Sequence, residues 1–210
     1  MSREGDSVRI VEGDAEMHIQ YAPYTYEDRG VQYEDKSMKR VKALSFAIDG
    51  GVVDIFDILP EGQQILVSPD SDKKRGHVMM KDKHGIRTIS LLGDLDSPRM
   101  LAILFHEIGH VIDFEKLDRF GLETLTDVHD NSDIAEVIRR ERAATAFALK
   151  ALKPFLRNKQ LRRDMINLLK YDALGSYYIG AREDIRKRLK KSTELSDHFF
   201  AHADEYYELV

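Results

Sequence analysis

The chain has 210 residues, 42% of them hydrophobic and 33% charged, so it reads as one globular domain with enough apolar material for a core. It has no cysteine, which excludes disulfides and thiolate metal ligands and agrees with a reducing, cytoplasmic setting. The polar start, MSREGDS, does not read as a signal peptide, and no run of about 18 uncharged apolar residues suggests a membrane span.

The net charge of −5 conceals an asymmetry. Residues 1–138 carry 16 basic and 27 acidic side chains, residues 139–191 carry 16 and 5, and residues 192–210 carry none and 5. A basic block like 139–191 suits contact with nucleic acid or an acidic partner, and equally the solvated faces of ordinary helices.

In chain order, Val8–Val11 and Met17–Tyr21 read as short strands, the second running into the tyrosine-rich MHIQYAPYTYED. In DKSMKRVKALSFAI, Met38, Val41, Leu44 and Ile48 are spaced as on an amphipathic helix. Leu44, Phe46 and Ile48 also alternate, which leaves a strand open at its end. Gly50-Gly51 interrupt the pattern, and Val52–Leu59 is apolar without a clear period. QQILVSP reads as a strand, followed by the charged loop SPDSDKKRG. HVMMKD and IRTISLL then flank the turn KHG as a hairpin. If Ile86–Leu92 is the sheet edge, its free N–H and C=O groups suit addition of an extended peptide.

The apolar run MLAILFHEIGHVIDF holds His106-Glu107-Ile108-Gly109-His110. On a helix, residues four apart stack on one face, so both imidazoles can address one metal ion, with Glu107 beside it as general base towards a water. The H-E-x-x-H pattern arises by chance in roughly 2% of chains of this composition, so its helical context matters. That context is present: Ser97 as N-cap, Pro98 at the first helical position, Asp94 and Asp96 near the start, and apolar residues at helical spacing to about 116.

Residues 117–131 read as a long loop. A second helix should start near Asp133, with Glu136 completing a capping box, and run to Lys153-Pro154. Helices are expected over 155–172, 176–191 and 193–208. The expected organisation is a single domain, 1–210. It divides into an N-terminal α/β part (1–97), metal-binding helices (98–154) and a helical C-terminal part (155–210).

A catalytic zinc site normally has three protein ligands. Position 116 is lysine, so an HExxHxxGxxH site is absent. Glu141 is the favoured third ligand, because Ala144, Thr145 and Ala148 share its face and their small size would let the two helices approach. Glu136, Asp118 and His129 are rivals. Asp113, one turn beyond His110, could accept an imidazole N–H or pair with an arginine. Tyr177, Tyr178, His198 and His202 are available as oxyanion donors, although packing roles are commoner for such residues. His198 and His202 are four apart but have Phe199 where the glutamate would be. The C-terminal HFFAHADEYYELV reads as a closing helix, or as a lid over the metal.

HEIGH followed by E-R-A-A-T-A-F-A-L-K-A-L-K-P at 141–154 resembles the ImmA/IrrE family of zinc metallopeptidases, with Glu141, Ala144, Phe147, Ala148, Leu152 and Pro154 in register. The similarity covers about residues 86–154. Thr145 stands where that family usually has Asn, Ala151 and Lys153 stand for Leu and Met, and Asp113-Phe114 occupy a place where a further His is common. The resemblance implies a gluzincin-like α+β fold, with a small mixed or antiparallel sheet on the metal helix and a mostly helical C-terminal half. It also implies one Zn2+ per chain held by His106, His110 and Glu141, Glu107 as base, and a protein substrate, typically a DNA-binding repressor. The alternatives are a binding or anti-repressor module with a structural metal site, and another kind of metal hydrolase.

Overall fold

A computed structural model describes residues 7–12, 15–48, 51–79, 81–95, 98–119, 134–153, 163 and 166–167. In chain order the elements are β1 (Ser7–Glu12), β2 (Ala15–Asp28), β3 (Val31–Ile48), β4 (Gly51–Asp54), α1 (Ile55–Ile58), β5 (Gln64–Ser68), β6 (Arg75–Val78), β7 (Thr88–Leu92), α2 (Pro98–Arg119) and α3 (Ile134–Leu152). The fold is α+β. The strands form one mixed sheet in the order β1-β2-β3-β5-β7-β6, with β4 pairing on β3 off that path. Among the described residues, only β5 and β7 pair in parallel.

The segment 35–48 is strand, not helix. β2 and β3 pair along their length, but Gln20 faces Ala43 while Tyr21 faces Val41, so Lys42 is an extra residue in β3. That bulge puts Val41 and Leu44, three apart, into the same core and mimics a helical period. A second irregularity, between Pro23 and Tyr24, leaves Lys36, Ser37 and Met38 outside the register. Beyond it the hairpin runs to Arg29-Gly30, whose φ values of 51° and 78° suit a two-residue turn between twisted strands. On this arm the rings of Tyr24, Tyr26 and Tyr33 stack. The apolar segment Val52–Leu59 divides into β4 and the single turn α1, which Asp54 caps by accepting from Phe56 N–H.

α2 begins at the expected proline, although the proposed cap Ser97 and neighbouring Asp96 lie outside the described residues. The helix is buried on most of its circumference, as expected for one apolar on nearly every side. Met17, Ile19, Leu44 and Phe46 from the sheet meet Leu104, Phe105 and Ile108 from α2, and Ala148, Leu149 and Leu152 of α3 join the same core. Residues 163, 166 and 167 are helical, and Ile166 packs on the core. The rest of the expected C-terminal helices and lid lies outside the described residues. Among the described residues, no helix is long and apolar enough to cross a membrane.

The hairpin before α2 is present, β6 antiparallel to β7 with His77 opposite Ser90. Among the described residues, however, the edge strand is β6. β7 pairs with β5 on one side and β6 on the other, so Ile86–Leu92 has no free side and the expectation of an edge there is corrected.

Candidate metal centre

Two contacts without room for a side chain fix the position of α2. On the α3 side, a Cβ on Gly109 would meet Ala144 Cα at 2.6 Å and its carbonyl oxygen at 2.8 Å. On the sheet side, a Cβ on Gly76 in β6 would meet Ile103 Cγ2 at 2.8 Å and Glu107 Cγ at 2.9 Å. Backbone therefore lies against backbone at the first contact, and a strand lies on the glutamate of the motif at the second.

The close crossing brings α3 near enough for a short carboxylate to reach the histidines. His106 Nε2 lies 3.0 Å from Glu141 Oε2, His110 Nε2 lies 3.3 Å from Glu141 Oε1, and the two Nε2 atoms are 3.1 Å apart. An ion with tetrahedral bonds of about 2.0–2.1 Å holds its ligand atoms roughly 3.3 Å apart, so the three positions fit a small divalent cation. Two imidazole nitrogens and a carboxylate oxygen are also a donor set suited to such ions. His106, His110 and Glu141 thus form a buried group that could hold a metal ion.

The charges in this cluster are coupled. Burial pushes the Glu141 carboxyl up, but hydrogen bonds from His106 and His110 and their charges together outweigh it and hold the group at about 2. For His110 burial works downward, and the Glu141 hydrogen bond with the charges of Glu141, Glu107 and Asp113 turns the net shift upward. Glu107 is buried beside the ligands, and desolvation raises its pKa despite the opposing pull of His106 and His110.

Around the ligands, Thr145 Oγ1 lies 3.4 Å from His106 Nδ1. His110 Nδ1 is buried with no hydrogen-bond partner among the described residues, so Asp113 does not accept from that atom as the sequence allowed; its charge acts on His110 through space. Ring stacking holds the outer face of His110 instead. Phe114 lies nearly parallel to it, with centroids 6.0 Å apart, and the guanidiniums of Arg87 and Arg140 sit 5.0 and 5.4 Å from the Phe114 centroid. Arg87 is fully buried and lies 3.7 Å from Glu115, which also pairs with Lys81 at 3.0 Å.

Of the rival ligands, Glu136 and Asp118 fall on α3 and α2 but their side chains lie outside the described residues, as does His129 entirely. The same holds for Tyr177, Tyr178, His198 and His202, and for most of the basic block 139–191. Within that block, Arg140 is buried against Phe114 rather than on a solvated face. Phe114, Arg87 and Gly76 carried no sequence signal for the site. Thr145 had one, four residues after Glu141 on the same helical face.

Comparison with family models, with curated proteins and with solved structures finds no match for the chain.

Proposed function

We propose that the chain is a zinc-dependent metallopeptidase that hydrolyses a protein or peptide substrate with Glu107 as general base. The observation that carries this is the convergence of His106, His110 and Glu141 at 3.0–3.3 Å with Glu107 buried beside them. Zn2+ is the ion proposed, because a His2Glu set with a free position is the donor arrangement of catalytic zinc in peptidases. The similarity of residues 86–154 to ImmA/IrrE peptidases agrees with the same assignment, and a repressor-like regulatory protein is the substrate that similarity suggests.

When bound, the ion supplies a Lewis acid that polarises the scissile carbonyl and makes water easier to deprotonate. Glu107 takes the proton as the water oxygen adds to the carbonyl carbon, and passes it to the amine nitrogen as the C–N bond breaks. Burial raises its pKa above the ordinary carboxylate value, which strengthens it as a base. Among the described residues β6 pairs on one side only, and its outward edge is where the substrate backbone is placed in this reading. Met79 N–H donates to Thr88 O at 2.8 Å, so Met79, His77 and Arg75 spend their backbone groups on β7. Gly76 and Val78 then direct theirs outward, and Gly76 lies on Glu107. An extended peptide paired there passes beside the base.

The test is hydrolysis of a mixed peptide pool by zinc-loaded wild type and Glu107→Gln, read by mass spectrometry. Cleavage by the wild type should fall by about 10²–10⁴-fold or more in the variant, with metal content unchanged. A variant that keeps its turnover, or a wild type that cuts nothing in the pool, leaves the binding module with a structural metal as the better description.

A further inference from the structure

We infer that the edge of β6 selects an extended segment with acidic side chains. This names the substrate class of the peptidase proposed above, and it rests on that reading for the hydrolysis that comes after binding. The part of the chain before residue 139 is acidic, yet Lys73 and Lys74 immediately precede this strand, Arg75 opens it and His77 follows. All four are exposed. The alternation of a strand puts Arg75 and His77 on one face, while Gly76 and Val78 face α2. A peptide paired with Gly76 and Val78 therefore sets every second side chain beside Arg75 and His77, at the separation where opposite charges attract across strands.

The acidic neighbours do not cancel this field. The Asp82 carboxylate turns back on its own loop and accepts from His84 and Ile86 N–H, and Asp70 and Asp72 precede the run, off the pairing residues.

The experiment uses full-length, zinc-loaded Glu107→Gln and three fluorescent ten-residue peptides on a Thr/Ala background. In these, alternate positions are Glu, Ser or Lys, and binding is read by anisotropy at low salt. The Glu peptide should bind about tenfold more tightly than the Lys peptide, with the Ser peptide between, and K73E/K74E/R75E on the same background should abolish or reverse the order. Circular dichroism establishes that the triple variant is folded; should it not be, the single variant R75E is read in the same way. Equal binding of the three peptides overturns the inference, and so does a Glu preference that survives charge reversal, since acid recognition would then lie elsewhere. Binding is measured without turnover, so the preference stands even if wild type cleaves no peptide, in which case only the peptidase assignment falls. Equal cleavage of all three peptides by wild type keeps that assignment and sinks the acidic preference.

Discussion

Gly109 and Ala144 touch through their backbones, a Cβ on Gly109 falling 2.6 Å from Ala144 Cα. This one crossing sets how far the Glu141 carboxylate stands from the two imidazoles on α2. Replacing Gly109 by alanine forces the helices apart, because the opposing atoms are main chain and cannot rotate away. The expected cost is about 1–3 kcal/mol of stability, seen as a fall in Tm of roughly 2–4 °C per kcal/mol. Metal affinity, measured by competition with a chromophoric chelator, should fall by about tenfold or more as Glu141 is displaced. A Gly109→Ala protein with unchanged Tm and affinity would mean that α2 and α3 do not cross this tightly.

Glu141 is the ligand least securely named by sequence. Wild type should contain about one zinc per chain, and Glu141→Ala should lose it or bind it far more weakly, by elemental analysis after dialysis. Retention of full metal content would move the third ligand to Glu136, Asp118 or His129.

α2, α3 and the strands β5 and β7 were legible because their apolar runs and bounding turn and cap residues are local signals. α2 and α3 start and stop within a few residues of where proline and the capping pattern put them. β3 was not legible as one strand, because the bulge at Lys42 replaces alternation by a spacing of three at Val41 and Leu44, which a helix would also show. The position of the edge is hidden for a different cause. Pairing order is a non-local property, and nothing in HVMMKD or IRTISLL states that β7 pairs on both sides. His106, Glu107 and His110 came from local helix geometry, and Glu141 from a run of small residues. The Arg87–Phe114–Arg140 layer could not be read, since Arg87 immediately precedes β7 and reaches Phe114 only through tertiary folding.

The metal-free protein should respond to acid through Glu141. Its folded pKa, about 2, lies below the ordinary value of 4.5, so the stability it contributes is present above about pH 4.5 and is lost as pH falls towards 2. Glu141→Gln should flatten that part of the profile of Tm against pH in the presence of a chelator. His110 has the opposite sign. Its raised pKa stabilises the metal-free fold below 6.5 and ceases to as pH rises through the folded value, where zinc should bind with release of a proton. Calorimetry of zinc binding in buffers of different ionisation enthalpy reads that proton directly; no release on the acid side of neutrality would contradict the shift.

Glu107 should show a trade between stability and chemistry. Burial raises its pKa above 4.5, so its contribution is full below pH 4.5 and is lost as pH climbs through the folded value, leaving a buried charge. Glu107→Gln removes that charge and keeps the shape. In the metal-free protein at neutral pH the variant should melt higher than wild type, by about 2–4 °C for each kcal/mol relieved, while hydrolysis is lost. A variant that melts lower would show that the carboxylate is held favourably in its charged form.

The two imidazoles should depend on different neighbours. His106 Nδ1 has the Thr145 hydroxyl at 3.4 Å, whereas His110 Nδ1 has no partner among the described residues and its ring is held by Phe114. Thr145→Val keeps the branched shape and removes the hydroxyl, so it should weaken zinc by about tenfold with little change in Tm. Phe114→Leu keeps apolar volume but not the flat face, and it also releases Arg87 and Arg140 from their shared ring. It should lower both Tm and zinc affinity, because the same ring packs the buried arginines and orients the ligand. Zinc affinity unchanged in Phe114→Leu, with only Tm reduced, would show that α2 alone orients His110 and that the aromatic layer serves the arginines.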